Sequence, residues 1–281
     1  MLKFEKIIIA LVTVVLLSGC SEYQKVLNKG KVEDQYKMAV KLFEDGKYNK
    51  AITLFEKVTP TYQRKPQMER IQFMVAQANY NTKSYELAAY YFNRFLANYP
   101  QSSKIEEATY LTAHSYYLAA PKYSRDQKDT HKALQAFQNF IDKYPDAVRT
   151  ADANKHYNEL TFRLEKKAFE IAKQYYRIES YKASIIAFEN FMQDHIGSDL
   201  KEDALYYKFL ASNELAVNSI LLKKEERLQN AVTVYNKFKK NYSDSKRIKE
   251  LDGLYNNLNK QIKQTKETIE SFKNNTANNG L

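Results

Sequence analysis

One frame, written five times, restricts this 281-residue chain more than any other feature of it. It is plainest between Lys83 and Pro100, where Ala88, Phe92, Phe95 and Tyr99 follow at steps of four, three and four and Pro100 comes next. Those steps place four side chains on one face of a helix, and a proline cannot continue that helix. The frame recurs as Ala51/Phe55/Val58/Tyr62, as Ala133/Phe137/Phe140/Tyr144 with Pro145, as Ser184/Phe188/Phe191/His195, and as Ala231/Tyr235/Phe238/Tyr242. Upstream, Ala39, Ala76 and Ala113 stand 37 residues apart, and Ala172 precedes Ser184 by the twelve residues that separate Ala39 from Ala51. A small residue facing another small one twelve on is what two close antiparallel helices joined by a tight turn require. A period in the thirties marks a helical array.

The small-residue steps, the Gly46-Lys47-Tyr48 turn, the later Phe and the terminal Pro together resemble the tetratricopeptide repeat. The expected fold is all-α: a tetratricopeptide-repeat solenoid of five helix hairpins, closed by a C-terminal capping helix. Six glycines and five prolines leave little material for hairpins or sheets.

The first nineteen residues stand apart from the array. Lys3 and Lys6 precede an apolar run from Ile7 to Leu17, too short to span a bilayer, so 1–19 reads as a signal peptide. Its end, Leu17-Ser18-Gly19-Cys20, resembles a bacterial lipobox, whose peptidase needs small residues before the cut and a thiol after it to carry diacylglycerol. Acylation of Cys20 anchors a chain to a membrane without spanning it. The alternative is a secretory signal with an incidental cysteine. Cys20 is the only cysteine, so no intramolecular disulfide can form.

Residues 20–32 read as a tether, 33–150 as repeats 1–3, 151–273 as repeats 4–5 with the capping helix, and 274–281 as a disordered tail. Between Ala113 and Ala133 lie 20 steps instead of 12, and the eight extra residues fall in Ala119–Thr130, a charged surface loop opened by Pro121. Repeat 4 begins with a long helix whose stripe is Tyr157, Leu160, Leu164, Ala168, Ile171, Ala172, Tyr175 and Ile178, bridging two halves of the array. Lys223–Arg227 reads as a second inserted loop. Lys246–Lys273 is the expected cap, with Leu251, Leu254, Tyr255, Leu258 and Ile262 on one face.

Net charge is +11, and +10 once the signal's two lysines and one glutamate are removed. The surplus is uneven: Lys223 to Lys273 holds thirteen Lys/Arg against seven Asp/Glu. Export excludes most nucleic-acid readings. What remains is a solvated helical face, or attraction to an acidic partner or an anionic membrane surface. Arg177, Lys223, Lys224 and Arg227, near inter-repeat loops, are the candidates for docking a partner.

No catalytic group, metal site or cofactor is expected. His114, His131, His156 and His195 lack any ligand spacing, and His195 holds the place that Tyr takes in other copies, which makes it a packing residue. The mature glycines are isolated, so no phosphate loop can form. Adjacent carboxylates such as Glu106/Glu107 and Glu225/Glu226 point apart. What the array offers is a groove along its first helices, lined by Tyr36/Val40/Phe43, Phe73/Gln77/Tyr80, Tyr110/His114/Tyr117 and Phe169/Lys173/Tyr176. Aromatics carry large contact area at low rotamer entropy, which suits sequence-tolerant recognition of extended chains. Tyr36, Phe43, Phe73 and Tyr80 hold equivalent places and are expected to form one patch, with Arg70 available to a terminal carboxylate. The alternative is that they pack between helices.

Cys20, Gly46-Lys47-Tyr48-x-x-Ala51, the Tyr99-Pro100 and Tyr144-Pro145 ends, the insert Ser124–Asp129 and the long helix leading to Ala172 together resemble one family. It is that of the lipoprotein subunits of the outer-membrane β-barrel assembly machinery of Gram-negative bacteria. Asp194-His195-Ile196-Gly197 departs from that family's Tyr-Pro or Phe-Pro ending. The resemblance implies a non-enzymatic, lipid-anchored subunit on the periplasmic face of the outer membrane. Its N-terminal repeats would receive unfolded outer-membrane protein segments, and its C-terminal repeats would dock on a periplasmic domain of the central barrel subunit. Competing readings are a cell-envelope adaptor that recruits peptidoglycan enzymes and a nutrient-binding lipoprotein. The absence of tryptophan argues against sugar stacking, although 23 tyrosines could substitute.

Overall fold

The computed structural model describes residues 22–278, with side chains as far as 274; the signal peptide, the lipobox and Cys20 lie outside the described residues. Among the described residues every regular element is a helix. They are α1 (22–29), α2 (Val32–Glu44), α3 (Tyr48–Tyr62), α4 (Gln67–Asn81), α5 (Tyr85–Asn98), α6 (Ile105–Ala119), α7 (Lys128–Lys143), α8 (Thr150–Arg177), α9 (Tyr181–Asp194), α10 (Lys201–Val217), α11 (Leu221–Asn241) and α12 (Ile248–Asn278). The chain forms two compact units that divide between Leu160 and Thr161, inside α8. The first has one core around Leu54, Phe55 and Ile71 and another around Phe92, Phe95, Phe137 and Phe140. The second has one core around Phe169, Phe188 and Phe191 and another around Phe209, Tyr235 and Phe238.

The repeated frame is the core. In all five copies its first three positions are no more than 2% exposed, from Ala51, Phe55 and Val58 to Ala231, Tyr235 and Phe238. The opposing Ala39, Ala76, Ala113 and Ala172 are sealed as well. The fourth copy shows how near the paired helices come: the Ser184 hydroxyl donates to the Ala172 carbonyl at 3.0 Å. Three hairpins turn through a left-handed residue, Gly46 at φ 72°, Lys83 at φ 63° and Glu179 at φ 60°. Each closes with the same bond, the next N–H reaching back five residues to Leu42, Asn79 or Tyr175 at 2.8–2.9 Å. Only the first of these turns has a glycine to hold that conformation.

The fourth frame position ends the helix. Tyr99, Tyr144, His195 and Tyr242 share a backbone with φ from −140° to −122° and ψ from 51° to 62°. Each ring leans on the Phe four residues earlier, with centroids 5.0–5.4 Å apart. Proline follows two of the four, so proline is not what stops the helix. His195 packs as the tyrosines do, as its place in the frame predicts.

The fifth copy's register is settled by its connectors. The Ser198 hydroxyl donates to Glu165 at 2.7 Å and that of Ser245 to Glu202 at 2.6 Å. Lys104 lies over Phe73, Arg149 over Tyr110 and Arg247 over Tyr206. Tyr206 therefore stands where Phe73, Tyr110 and Phe169 stand, and Phe209 falls in the place of the alanines. A buried phenyl there forbids a tight hairpin. Accordingly α11 starts ten residues before Ala231, whereas α3, α5 and α9 start three before their small residue.

Several expectations change. Lys223–Arg227 is not a loop but part of α11; these are strong helix formers, and the Lys224 ammonium donates to the Val217 carbonyl at the end of α10 at 3.0 Å. The stretch expected as a tether is helical from 22 to 29, with Tyr23 and Leu27 against the first core and the buried Gln35 amide donating to the Val26 and Leu27 carbonyls at 3.1 Å. The α8 stripe divides: Leu160 and Ala172 are buried, but Ile171, Tyr175 and Ile178 are exposed, because the inward face follows Ala172 and Phe169, which lies outside the expected stripe. Helix α12 runs on to Asn278, into the segment expected as a tail. The insert is a loop over 120–127, held by the buried Gln127, whose amide donates to the Lys122 and Arg125 carbonyls at 2.9 Å and accepts from Thr130 at 2.8 Å.

Two outcomes test this packing. Ala76→Leu or Ala88→Leu forces methylenes into a sealed interface and lowers stability by roughly 1–3 kcal/mol; an unchanged melting temperature in either contradicts the register. Gly46→Ala loses about 1 kcal/mol to the left-handed backbone, while Lys83→Gly gains a few tenths to about 1 kcal/mol by relieving it, net of glycine's extra chain entropy. Urea unfolding of the two variants should shift in opposite directions.

Candidate functional site

The first helices present rows of side chains at one spacing, and burial separates their members. Phe73, Tyr110 and Phe169, at the first position, are 4–8% exposed and belong to the core. Phe73 sits 5.9 Å from Phe92 and 5.3 Å from Phe95 in edge-on contacts. It is therefore withdrawn from the surface patch expected of it. Tyr36, Phe43 and Tyr80 are half-buried; Tyr36 has Tyr62 as a ring neighbour, Phe43 has Tyr48, and Tyr80 has both Tyr85 and His114. Arg70 is exposed and stands 3.8 Å from Glu44 on α2. The accessible row in the first unit is thus narrower than the spacing implies. It consists of later positions on each helix.

At the third repeat this row becomes a continuous aromatic and imidazole stack. His114 lies nearly parallel to Tyr110 at 5.6 Å and to Tyr117 at 5.7 Å. The Tyr80 hydroxyl is 2.6 Å from its Nδ1. His156, from the start of α8, comes within 5.1 Å of His114 and 4.2 Å of Tyr117, ring to ring. The Tyr117 hydroxyl donates to Glu159 Oε2 at 2.6 Å, and His156 Nδ1 lies 3.5 Å from the same oxygen. That bond from Tyr117 is the main cause holding the Glu159 carboxyl below its usual range. Burial, with the neighbouring His156 and Arg149, pushes His114 down to about 4, so its imidazole is neutral and accepts from Tyr80.

No repeat step relates the two histidines: His156 lies 42 residues after His114, near the start of the long α8. Among the described residues no group of three or more His, Cys, Asp or Glu is placed to hold a metal ion.

In the second unit, Arg177 is exposed and 3.9 Å from Glu170, and Lys223 is exposed. Lys224 and Arg227 are half-buried and close the α10–α11 turn, Arg227 donating to the Ser219 hydroxyl at 2.7 Å. No described helix is long and apolar enough to cross a membrane.

The His114 environment carries a pH signature. Its pKa is 6.5 in an open chain and about 4 in the fold. The unfolded state therefore takes up a proton that the folded state refuses as pH falls below 6.5, and the loss of stability is complete below about 4. Between pH 7 and 5 the melting temperature should fall more in the native chain than in His114→Phe. Parallel curves would show that His114 is not buried neutral.

Comparison with known proteins places the chain. A model of the family described as "YfiO: Outer membrane lipoprotein" matches residues 28–228. The outer membrane protein assembly factor BamD of Caulobacter vibrioides is similar at 25% identity over 233 residues, covering 82% of this chain and 75% of the relative. That of Rickettsia prowazekii is 25% identical over 207 residues, covering 73% and 82%. Among solved structures, the TPR2AB domain of yeast Sti1, in a complex with pHSP90, superposes with a TM-score of 0.38 at 14% identity, covering 81% of this chain and 98% of that one. The match over 28–228 takes in the repeats α2 to α10 and the start of α11, so this chain belongs to the YfiO family of outer membrane lipoproteins.

Proposed function

We propose that this protein is a non-enzymatic assembly factor for outer-membrane β-barrel proteins, anchored through acylated Cys20 on the periplasmic face of the outer membrane. The observation that carries the reading is the family match over 28–228, in company with relatives named as assembly factors. On this reading the row of Tyr36, Phe43 and Tyr80, extended by Tyr117, receives unfolded barrel segments. Half-buried rings suit such a receptor, because the core holds them in place and one edge stays open to any apolar side chain of an extended client. Polar neighbours such as Gln77 meet the client backbone. The C-terminal repeats dock on a periplasmic domain of the central barrel subunit, with Arg177 and Lys223 at the rim, where charge sets association rate and salt dependence more than final affinity.

Binding to a peptide from the terminal strand of a barrel protein tests the groove. Tyr36→Ala and Phe43→Ala should weaken it several-fold while the melting temperature stays within a few degrees. Loss that only follows unfolding assigns these rings to the core and refutes the groove. Cys20→Ala should release the chain from membranes into the soluble periplasmic fraction; a variant that stays membrane-bound refutes lipid anchoring.

A further inference from the structure

The last two helices exceed the needs of the array. α11 has 21 residues against 14–16 for the other second helices of the hairpins, and α12 has 31. Their extra turns run side by side and leave an open groove of about 1120 Å³, lined entirely by residues of these two helices. Its apolar lining is Leu221, Leu222, Ile269 and Phe272. Leu222 is 89% exposed and Ile220, at the turn beside it, 67%. Scattered surface leucines need no explanation, but a contiguous apolar patch beside a groove does.

Three occupants have the right apolar character, and the observations separate them. A bilayer surface is disfavoured by charge. The charge around the groove is balanced, Glu225, Glu226 and Glu270 standing with Lys223, Lys273 and Lys266, which is 3.8 Å from Glu225, so no positive face draws anionic headgroups. A second copy of the chain is disfavoured by size. The eight residues that line the groove fall short of the roughly 20–30 residues a side that a stable free-standing interface uses. A single helix matches both size and shape, since two antiparallel helices with an open apolar seam lack one helix of a three-helix bundle. The groove's charge is also divided, acidic on the α11 side through Glu225 and Glu226 and basic on the α12 side through Lys273.

We propose that this groove takes one amphipathic helix of a partner protein, its apolar stripe on Leu221, Leu222 and Ile269. The helix carries basic residues along the edge facing Glu225 and Glu226, and acidic ones along the edge facing Lys273. The inference does not depend on the assembly role, because it concerns the form of the partner segment and not what that partner does.

Placing a photo-crosslinking amino acid at Leu222 in the full-length chain in cells, and sequencing the attached peptide, decides the matter. The expected adduct is one segment with apolar residues at i, i+3 or i+4 and i+7, flanked by opposite charges. That segment, made as a peptide, should bind the purified protein and lose at least tenfold in affinity with Leu222→Glu, whose exposed position leaves the melting temperature unchanged. An adduct to lipid, to a second copy of the chain or to a non-helical segment overturns the proposal. So does the lack of any adduct, or peptide binding that is indifferent to Leu222→Glu.

Discussion

The structure depends on the close approach of paired helices at a small residue. Where Ala39, Ala76, Ala113 and Ala172 meet the first frame position, nothing larger than a methyl or a hydroxymethyl stands between the backbones, and all of these residues are sealed. That approach lets Phe92, Phe95, Phe137, Phe140, Phe188 and Phe191 reach fully into the neighbouring helices. It also forces a tight turn, and so a left-handed residue, at 46, 83 and 179. The turn is a consequence of the packing, since Lys83 and Glu179 accept a conformation that side chains ordinarily resist at about 1–2 kcal/mol. The turn also needs a short connection: in the third copy Ala113 is sealed but the loop 120–127 stands in place of a left-handed turn, and in the fifth Phe209 replaces the alanine and no left-handed residue occurs.

The same packing decides what the face of the first helices can offer a partner. The first member of each row is drawn into the core by the two phenyl rings of its own hairpin, as Phe73 is by Phe92 and Phe95. Later members lie farther along the helix, nearer its turn, and stay half-buried. Tyr80, Tyr117 and His114 thus gain rigidity from internal bonds without becoming core. Recognition by such rings would be broad in sequence but fixed in place, as the proposed receptor for barrel segments requires.

Much of this is legible from residue spacing because the interaction responsible is local: a small residue, an aromatic at four and another at seven define a helix face whatever surrounds it. The hairpins, the packing role of His195 and the eight-residue insert all follow from that local rule. What spacing cannot supply depends on neighbours distant in sequence. It cannot divide the α8 stripe, because Ile171 and Ala172 fit a 3.6-residue period almost equally well, and only the position of α9 selects the face holding Ala172. Phe73 reads as a surface residue because nothing in its own helix tells that two rings cover it. Lys223–Arg227 reads as a loop by its charge, whereas the acceptor at Val217 that makes a helix start useful there lies on another element. His114 and His156 meet through a helix whose length breaks the repeat.

α12 departs from the same frame at one position. Eleven residues after the terminal ring of three copies comes an aromatic of the next first helix, Phe73 after Tyr62, Tyr110 after Tyr99 and Tyr206 after His195, whereas after Tyr144 it is Lys155, in the long α8. After Tyr242 that position is Gly253, exposed, with nothing within 4 Å of where a Cβ would stand. α12 thus takes the place of a further first helix without that ring. It buries Leu251, Leu258 and Thr265 against α11 and turns a polar face outward where a mate would have packed. A polar outer face on a terminal helix keeps a repeat array soluble at that edge. The apolar residues at the far ends of α11 and α12 break that rule of closure, since a cap that only terminated the array would have no reason to keep Leu222 in water.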